Sequence, residues 1–213
     1  MENQYSNQFR EKVDYLPMSL KKHDPKEVAS LIYESAPELF SLIFGFRAIE
    51  NLTILVQETE NRFSYQYIRV AQIQNQVVGI AVIIPAEKLE SEADLKFLSF
   101  RQKLRLTLVT RLILPFILQS DYPPGSFYLG NLAVNSQYRN QGIGRQLLLN
   151  CIDEVATIST SPTSIYISVD INNPRAQKLY ESMGFQLVKK KVIGFGKFKI
   201  GSLVLALTTS TNP

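Results

Sequence analysis

The sequence predicts an α/β fold, a mixed β-sheet flanked by helices, in a single domain over residues 1–213. Three observations point there. From residue 126 onward, stretches of strand-like and helix-like apolar periodicity alternate in the order strand, loop, helix, strand, helix, strand. The joints carry turn chemistry, a Gly-x-Gly loop before one helix and an Asn-Pro pair before the next. No internal repeat or low-complexity linker divides the 213 residues, a length that suits one large domain.

Residues 13–20, VDYLPMSL, supply a first strand. A helix starts at Asp24-Pro25-Lys26-Glu27. Asp24 can cap it, Pro25 suits the first helical position, and Glu27 completes a capping box. Val28, Leu31 and Ile32 form its apolar face. Pro37 restarts a second helical segment, PELFSLIFGF, and helix resumes after Gly45 in RAIENLTILVQE. Residues 65–73 alternate as a strand, Asn75-Gln76 makes a tight turn, and residues 77–84, VVGIAVII, form a buried strand ended by Pro85. Residues 93–119 read as a helix, with Leu95, Leu98 and Leu104 among basic residues and a break or kink at Pro115. This defines a helical insert over roughly 86–121, closed by the Tyr122-Pro123-Pro124-Gly125 loop.

SFYLGNLAV, residues 126–134, is a strand whose central Gly130-Asn131 pair suggests a bulge or splay. The loop NSQYRNQGIG leads into a helix over 145–158, with Leu148, Cys151, Ile152, Val155 and Ala156 on one face. TSIYISVD is the next strand. Asn173-Pro174 then opens a helix as cap and first residue, Ala176, Leu179 and Met183 line its inner side, and Gly184 closes it. Two strands, FQLVKKKVI and GSLVLALT, complete the chain.

Composition excludes several chemistries. Cys151 is the single cysteine and His23 the single histidine, so an intrachain disulfide is impossible and a Cys/His zinc site lacks ligands; no metal is expected. A Ser-His-Asp relay would need His23, which sits in KKHDPKE and is expected at the surface. The net charge of +4 could favour an anionic ligand but is too small to argue for nucleic acid. No uninterrupted apolar run reaches the roughly 18 residues of a membrane span. The polar N-terminus, MENQYSNQFREKVDY, lacks the apolar core of a secretory signal, which predicts a cytoplasmic protein.

The stretch RNQGIGRQLL, residues 139–148, concentrates the chemistry. A strand running through Gly-x-Gly into a helix exposes the first backbone N–H groups of that helix. The helix dipole adds partial positive charge there, glycines keep Cβ atoms out of the way, and Arg139 and Arg145 add cationic side chains, a combination suited to pyrophosphate. A P-loop would need Gly-Lys-Ser/Thr where Gly144-Arg145-Gln146 stands, and a dinucleotide fingerprint would need a third glycine at Leu147.

LAVNSQYRNQGIGRQLLLNCID resembles motif A of the GNAT superfamily of acetyl-CoA-dependent N-acetyltransferases, through Arg139, Gly142 and Gly144. NNPRAQKLYESMGF resembles motif B, with Asn173, Ala176, Leu179, Tyr180, Gly184 and Phe185 in place. The resemblance is carried by residues 126–186, and the insert has no counterpart in the minimal family core. It implies a mixed sheet splayed open beside the bulged strand, with acetyl-CoA in the cleft as co-substrate and an amine as acceptor. No nucleic acid or membrane partner follows from it, and a homodimer is compatible with it.

By this resemblance pantetheine would lie along Leu132, Ala133 and Val134, with the Leu132 N–H facing the thioester carbonyl. Arg139, Asn140, Gln141, Gly142, Ile143, Gly144 and Arg145 would cradle the pyrophosphate. Asn173 and Ala176 would face the pantetheine. Tyr180 would hold a phenol near the sulfur, either to protonate the leaving thiolate or as a packed core tyrosine. The glutamate that many members carry on the bulged strand is replaced, with Tyr128 at the comparable position, so no general base is assigned. Glu34, Glu38 and Asp121 are open alternatives between acceptor pocket and solvated surface. Tyr33, Phe40, Phe44 and Phe46 either wall the acceptor side or fill the core, and Lys189, Lys190 and Lys191 read as a solvated face.

Overall fold

The computed structural model describes residues 12–89, 122–195 and 198–209; of residues 193–195 and 198–200 it describes the backbone alone. The helix expected over 93–119, Asp121 and most of the insert lie outside the described residues.

The elements follow in the order β1 (Asp14–Pro17), α1 (Pro25–Ser35), α2 (Pro37–Phe44), α3 (Ala48–Gln57), β2 (Ile68–Ile73), β3 (Gln76–Pro85), β4 (Phe127–Val134), α4 (Ile143–Ile158), β5 (Ser164–Asp170), α5 (Pro174–Glu181), β6 (Gln186–Phe195) and β7 (Phe198–Thr208). Seven strands form one mixed sheet in the order β1-β2-β3-β4-β5-β7-β6. Among the described residues only β4 and β5 pair in parallel, the other neighbours being antiparallel. Helices α1 to α3 bury Val28, Ile32, Leu52 and Leu55 against one face of β2 and β3. On the other face α4 and α5 bury Leu147, Leu148, Cys151 and Tyr180. Strand β3 is therefore covered on both sides, which is why VVGIAVII is apolar at every position rather than at alternate ones.

Local chemistry sets the helix starts. Asp24 accepts from the Lys26 N–H at 2.8 Å with Pro25 in the first turn, and Asn173 accepts from the Ala176 N–H at 3.0 Å with Pro174 in the first turn. The β2–β3 turn uses Gln74 and Asn75, both at positive φ (49° and 67°), one residue earlier than the sequence suggested. Residues 65–67 form a 3-10 turn rather than the start of β2.

The 21 residues Pro37–Gln57 are long and apolar enough, by length and composition, to span a membrane, although no uninterrupted apolar run inside them is. The fold breaks them at Gly45, at φ 68°, and turns Phe40, Phe44, Leu52 and Val56 into the core. Phe46 does not fill the core, since it is 97% exposed.

His23 is a correction to the sequence reading. It is 3% exposed, not on the surface. Its Nδ1 accepts the Ser19 N–H at 2.9 Å, which leaves the proton on Nε2, 3.1 Å from Gln72 Oε1 on β2. Burial is the largest influence on this imidazole and lowers its pKa. The unfolded chain therefore takes up a proton as pH falls through about 6.5, while the folded chain resists. Stability is expected to be complete above neutral pH and to fall as the pH drops below about 6.5. Thermal melts from pH 8 to pH 5 check this, and the acid-side fall should be shallower in His23→Gln.

Candidate functional site

Strand β4 is where the sheet comes apart. Its pairing with β3 skips Gly130, with Val82 opposite Asn131 and Ile83 opposite Leu129, so Gly130 is the bulge that the Gly-Asn pair suggested. Its parallel pairing with β5 runs from Phe127 to Leu129 and then stops. The Asn135 N–H donates to Val78 O at 2.9 Å. The antiparallel alternation then directs the N–H groups of Ala133 and Asn131 to β3 and those of Leu132 and Val134 to the opposite edge, which β5 has left.

That open edge leads to the start of α4. Asn140 and Gly142 adopt positive φ (67° and 83°), and Gly142 stands at the N-cap without a side-chain cap. Gly144 lies inside the first turn, because α4 begins at Ile143, two residues earlier than expected. A Cβ on Gly142 would meet nothing within 4 Å, whereas one on Gly144 would touch Val134 Cγ2 at 3.4 Å. Among the described residues, the first amides of α4 thus face open space beside the stretch of β4 that β5 has left, an anion-binding arrangement.

The loop's cationic side chains are held by protein partners. Arg139 Nε donates to Val134 O at 2.9 Å, and its Nη2 lies 3.5 Å from Glu34 Oε2 at the end of α1. Arg145 donates to Ser182 Oγ at 3.1 Å, and Arg175 donates to Asn140 Oδ1 at 2.6 Å, tying the loop to both ends of α5. Gln141 is exposed. Asn131 Nδ2 donates to Ser35 Oγ at 2.7 Å, so the end of α1 is fastened to the bulge.

Tyr180 projects from α5 into the core that α4 and α5 form against the sheet. It is 5% exposed, with its ring edge-on to Phe185 at 5.8 Å, and Ala176 is half-buried one turn before it. Among the described residues its hydroxyl has no hydrogen-bond partner. A buried hydroxyl without a partner is uncommon in a folded protein. Burial raises its pKa well above the ordinary phenol value, so it is protonated at neutral pH.

The opposite face of the same region carries a second hydroxyl group of residues. Tyr122 packs its ring 5.1 Å from both Tyr128 on β4 and Tyr166 on β5, and its hydroxyl is 3.5 Å from Ser168 Oγ. Nothing in the sequence marked Tyr122 or Ser168, because 46 residues separate them. Cys151 is fully buried on α4 and burial pushes its thiol up to about 12, which fits packing and not nucleophilic chemistry. Among the described residues no group of three or more His, Cys, Asp or Glu side chains gathers as a metal site would. Glu38, Lys189 and Lys190 are exposed.

Comparison with known proteins decides the family. The model of the acetyltransferase (GNAT) family matches residues 32–185. The chain belongs to this family. Over 57 residues it is 40% identical to a ribosomal protein bS18-alanine N-acetyltransferase of Escherichia coli K12. That match covers 27% of this chain and 37% of the relative, little more than a third of its length. Among solved structures, an N-acetyltransferase from Staphylococcus aureus Mu50 superposes with a TM-score of 0.67 at 21% identity, covering 91% of this chain and 100% of that one. The NatC complex bound to Gag peptide and CoA gives a TM-score of 0.57 at 17% identity, covering 93% and 99%. At these identities the structural likeness establishes the GNAT fold.

Proposed function

We propose that this GNAT protein transfers the acetyl group of acetyl-CoA to a primary amine by direct attack, as a single domain acting in the cytoplasm. The observation that carries the reading is the juxtaposition, among the described residues, of uncapped amides at the start of α4 with the edge of β4 that β5 has left. The N–H groups of Gly142, Ile143, Gly144 and Arg145, with Asn140 and Gln141 beside them, would hold the pyrophosphate. Arg139 would join them by exchanging Glu34 for phosphate oxygens. The edge of Leu132, Ala133 and Val134 would hold the pantetheine, with Asn173 and Ala176 across the cleft.

Acetyl-CoA supplies an activated acyl thioester. The Leu132 N–H, fixed by the bulge, is a preorganised donor for negative charge developing on the carbonyl oxygen. Tyr180 holds a proton at its hydroxyl and can give it to the departing sulfur. The relative from Escherichia coli is named for an alanine acceptor on a ribosomal protein. Here the acceptor is proposed only as a primary amine.

Acetyl-CoA is expected to stabilise the fold. At 100 times its dissociation constant the gain is about 2.7 kcal/mol. Thermal melts check it, and an unchanged midpoint at millimolar acetyl-CoA would overturn the reading. A second reading, a CoA-binding regulatory module with little or no turnover, is favoured by Tyr128 standing where many members carry a carboxylate. Thioester consumption across a panel of amines separates the two.

A further inference from the structure

The Tyr122, Tyr128 and Ser168 hydroxyls occupy the face of the sheet that α4 and α5 do not cover. Ile165, Ile167 and Val169 point into the α4 and α5 core, so the alternating residues Tyr166 and Ser168 point the other way. Tyr122 and Tyr128 pack beside the α1–α3 core on that same side. Tyr128 sits within the last paired stretch of β4 with β5, and Ser168 is the first β5 residue beyond it. The cluster therefore stands where the strands part, a few residues from the Leu132 edge. All its members are half-buried, which leaves them open to a ligand.

The side chains of the cluster are themselves uncharged near neutral pH. The Tyr128 phenol interacts with the Ser168 and Tyr122 hydroxyls, and the charged side chain acting on it is Arg62, whose Nη2 donates to Leu89 O at 2.9 Å. Among the described residues, Glu34 pairs with Arg139, Asp170 accepts from the Asn172 N–H at 2.7 Å, and Glu87 accepts from the Gly125 N–H. Burial raises the Tyr122 and Tyr128 pKa values, so neither becomes an anion near neutral pH. Hydroxyl oxygens can accept N–H bonds from an uncharged amine but themselves offer an ammonium no counter-charge.

Building on the acetyltransferase reading, we propose that the Tyr122–Tyr128–Ser168 cluster docks the acceptor's amino group as the neutral amine, selecting a weakly basic α-amino group over a lysine side chain. The docked amine donates its N–H bonds to these hydroxyls and keeps its lone pair free for the carbonyl at the Leu132 edge. An α-amino group of pKa near 8 is roughly a fifth neutral at pH 7.4, whereas a lysine of pKa about 10.4 is neutral to about 0.1%, a ratio of order 10².

The test uses the full chain and two peptides, one with a free α-amino group and no lysine, one N-terminally blocked with a single lysine. The α-amino peptide should be acetylated about 10²-fold more efficiently at pH 7.4. Tyr128→Phe and Ser168→Ala, which keep the packing, should raise its KM at least tenfold while acetyl-CoA affinity by calorimetry stays within twofold. Equal rates on the two peptides, or an unchanged KM in both variants, overturn the proposal. Binding is read separately from turnover by NMR of protein carrying 13C at tyrosine Cζ, with Tyr122→Phe and Tyr128→Phe assigning the signals. The α-amino peptide should move both signals in the presence of CoA, even if turnover is absent. Unmoved signals at saturating peptide overturn the docking site, whereas loss of acetyl-CoA binding in calorimetry would instead overturn the acetyltransferase reading.

Discussion

Gly142→Asp should weaken acetyl-CoA binding at least 10²-fold while the protein remains folded. The side chain would enter the open space before α4 and place a carboxylate against the amides proposed to receive the pyrophosphate. Two opposing effects keep stability near neutral. An aspartate at φ 83° is strained by roughly 1–2 kcal/mol. A carboxylate at an uncapped helix start recovers about 1 kcal/mol by accepting from the first amides. The variant would thus supply its own anion to the site. Gly142→Asn, with similar bulk and no charge, should weaken binding less. Calorimetry measures both affinities, and near-wild-type binding by the aspartate variant would reduce this loop to a turn.

Tyr180→Phe should lower kcat by roughly 10²-fold, the low end for general acid catalysis, with little change in acetyl-CoA affinity. The structure sharpens the companion expectation on stability. A core tyrosine whose hydroxyl is bonded loses about 1 kcal/mol on conversion to phenylalanine. The Tyr180 hydroxyl has no partner among the described residues, so its removal should leave the melting temperature unchanged or raise it. Lower turnover together with unchanged or greater stability is the signature of a group kept for chemistry. A variant as fast as wild type would remove Tyr180 from the mechanism and leave backbone donors and bound water to carry it.

Much of the molecule was legible in the chain because it is encoded over a few residues. Asp24-Pro25 and Asn173-Pro174 specify helix starts through bonds to amides two or three residues away. Gly130 announces the bulge, and Gly142 the left-handed turn before α4, because backbone sterics act within a residue or two. The apolar run of β3 announces a strand covered on both faces. These local signals determined the fold class and located the loop before α4.

Tertiary structure alone decided where side chains of distant origin meet. Arg139 was read as a cation beside the proposed pyrophosphate site, and the structure adds that Glu34, 105 positions away, shares its guanidinium with Val134 O. His23 was assigned to the surface by its charged neighbours, yet the turn between β1 and α1 brings its Nε2 to Gln72 on β2 in a buried position. Phe46 sits in an apolar stretch, yet the break at Gly45 turns it outward. The hydroxyls of Tyr122, Tyr128 and Ser168 gather only because a bulge makes β4 part from β5 and the strand pleat sends alternate side chains to one face. Periodicity in a sequence reports which face of its own element a residue occupies. Which other element covers that face depends on sheet order and register, and those are set by packing across the whole domain.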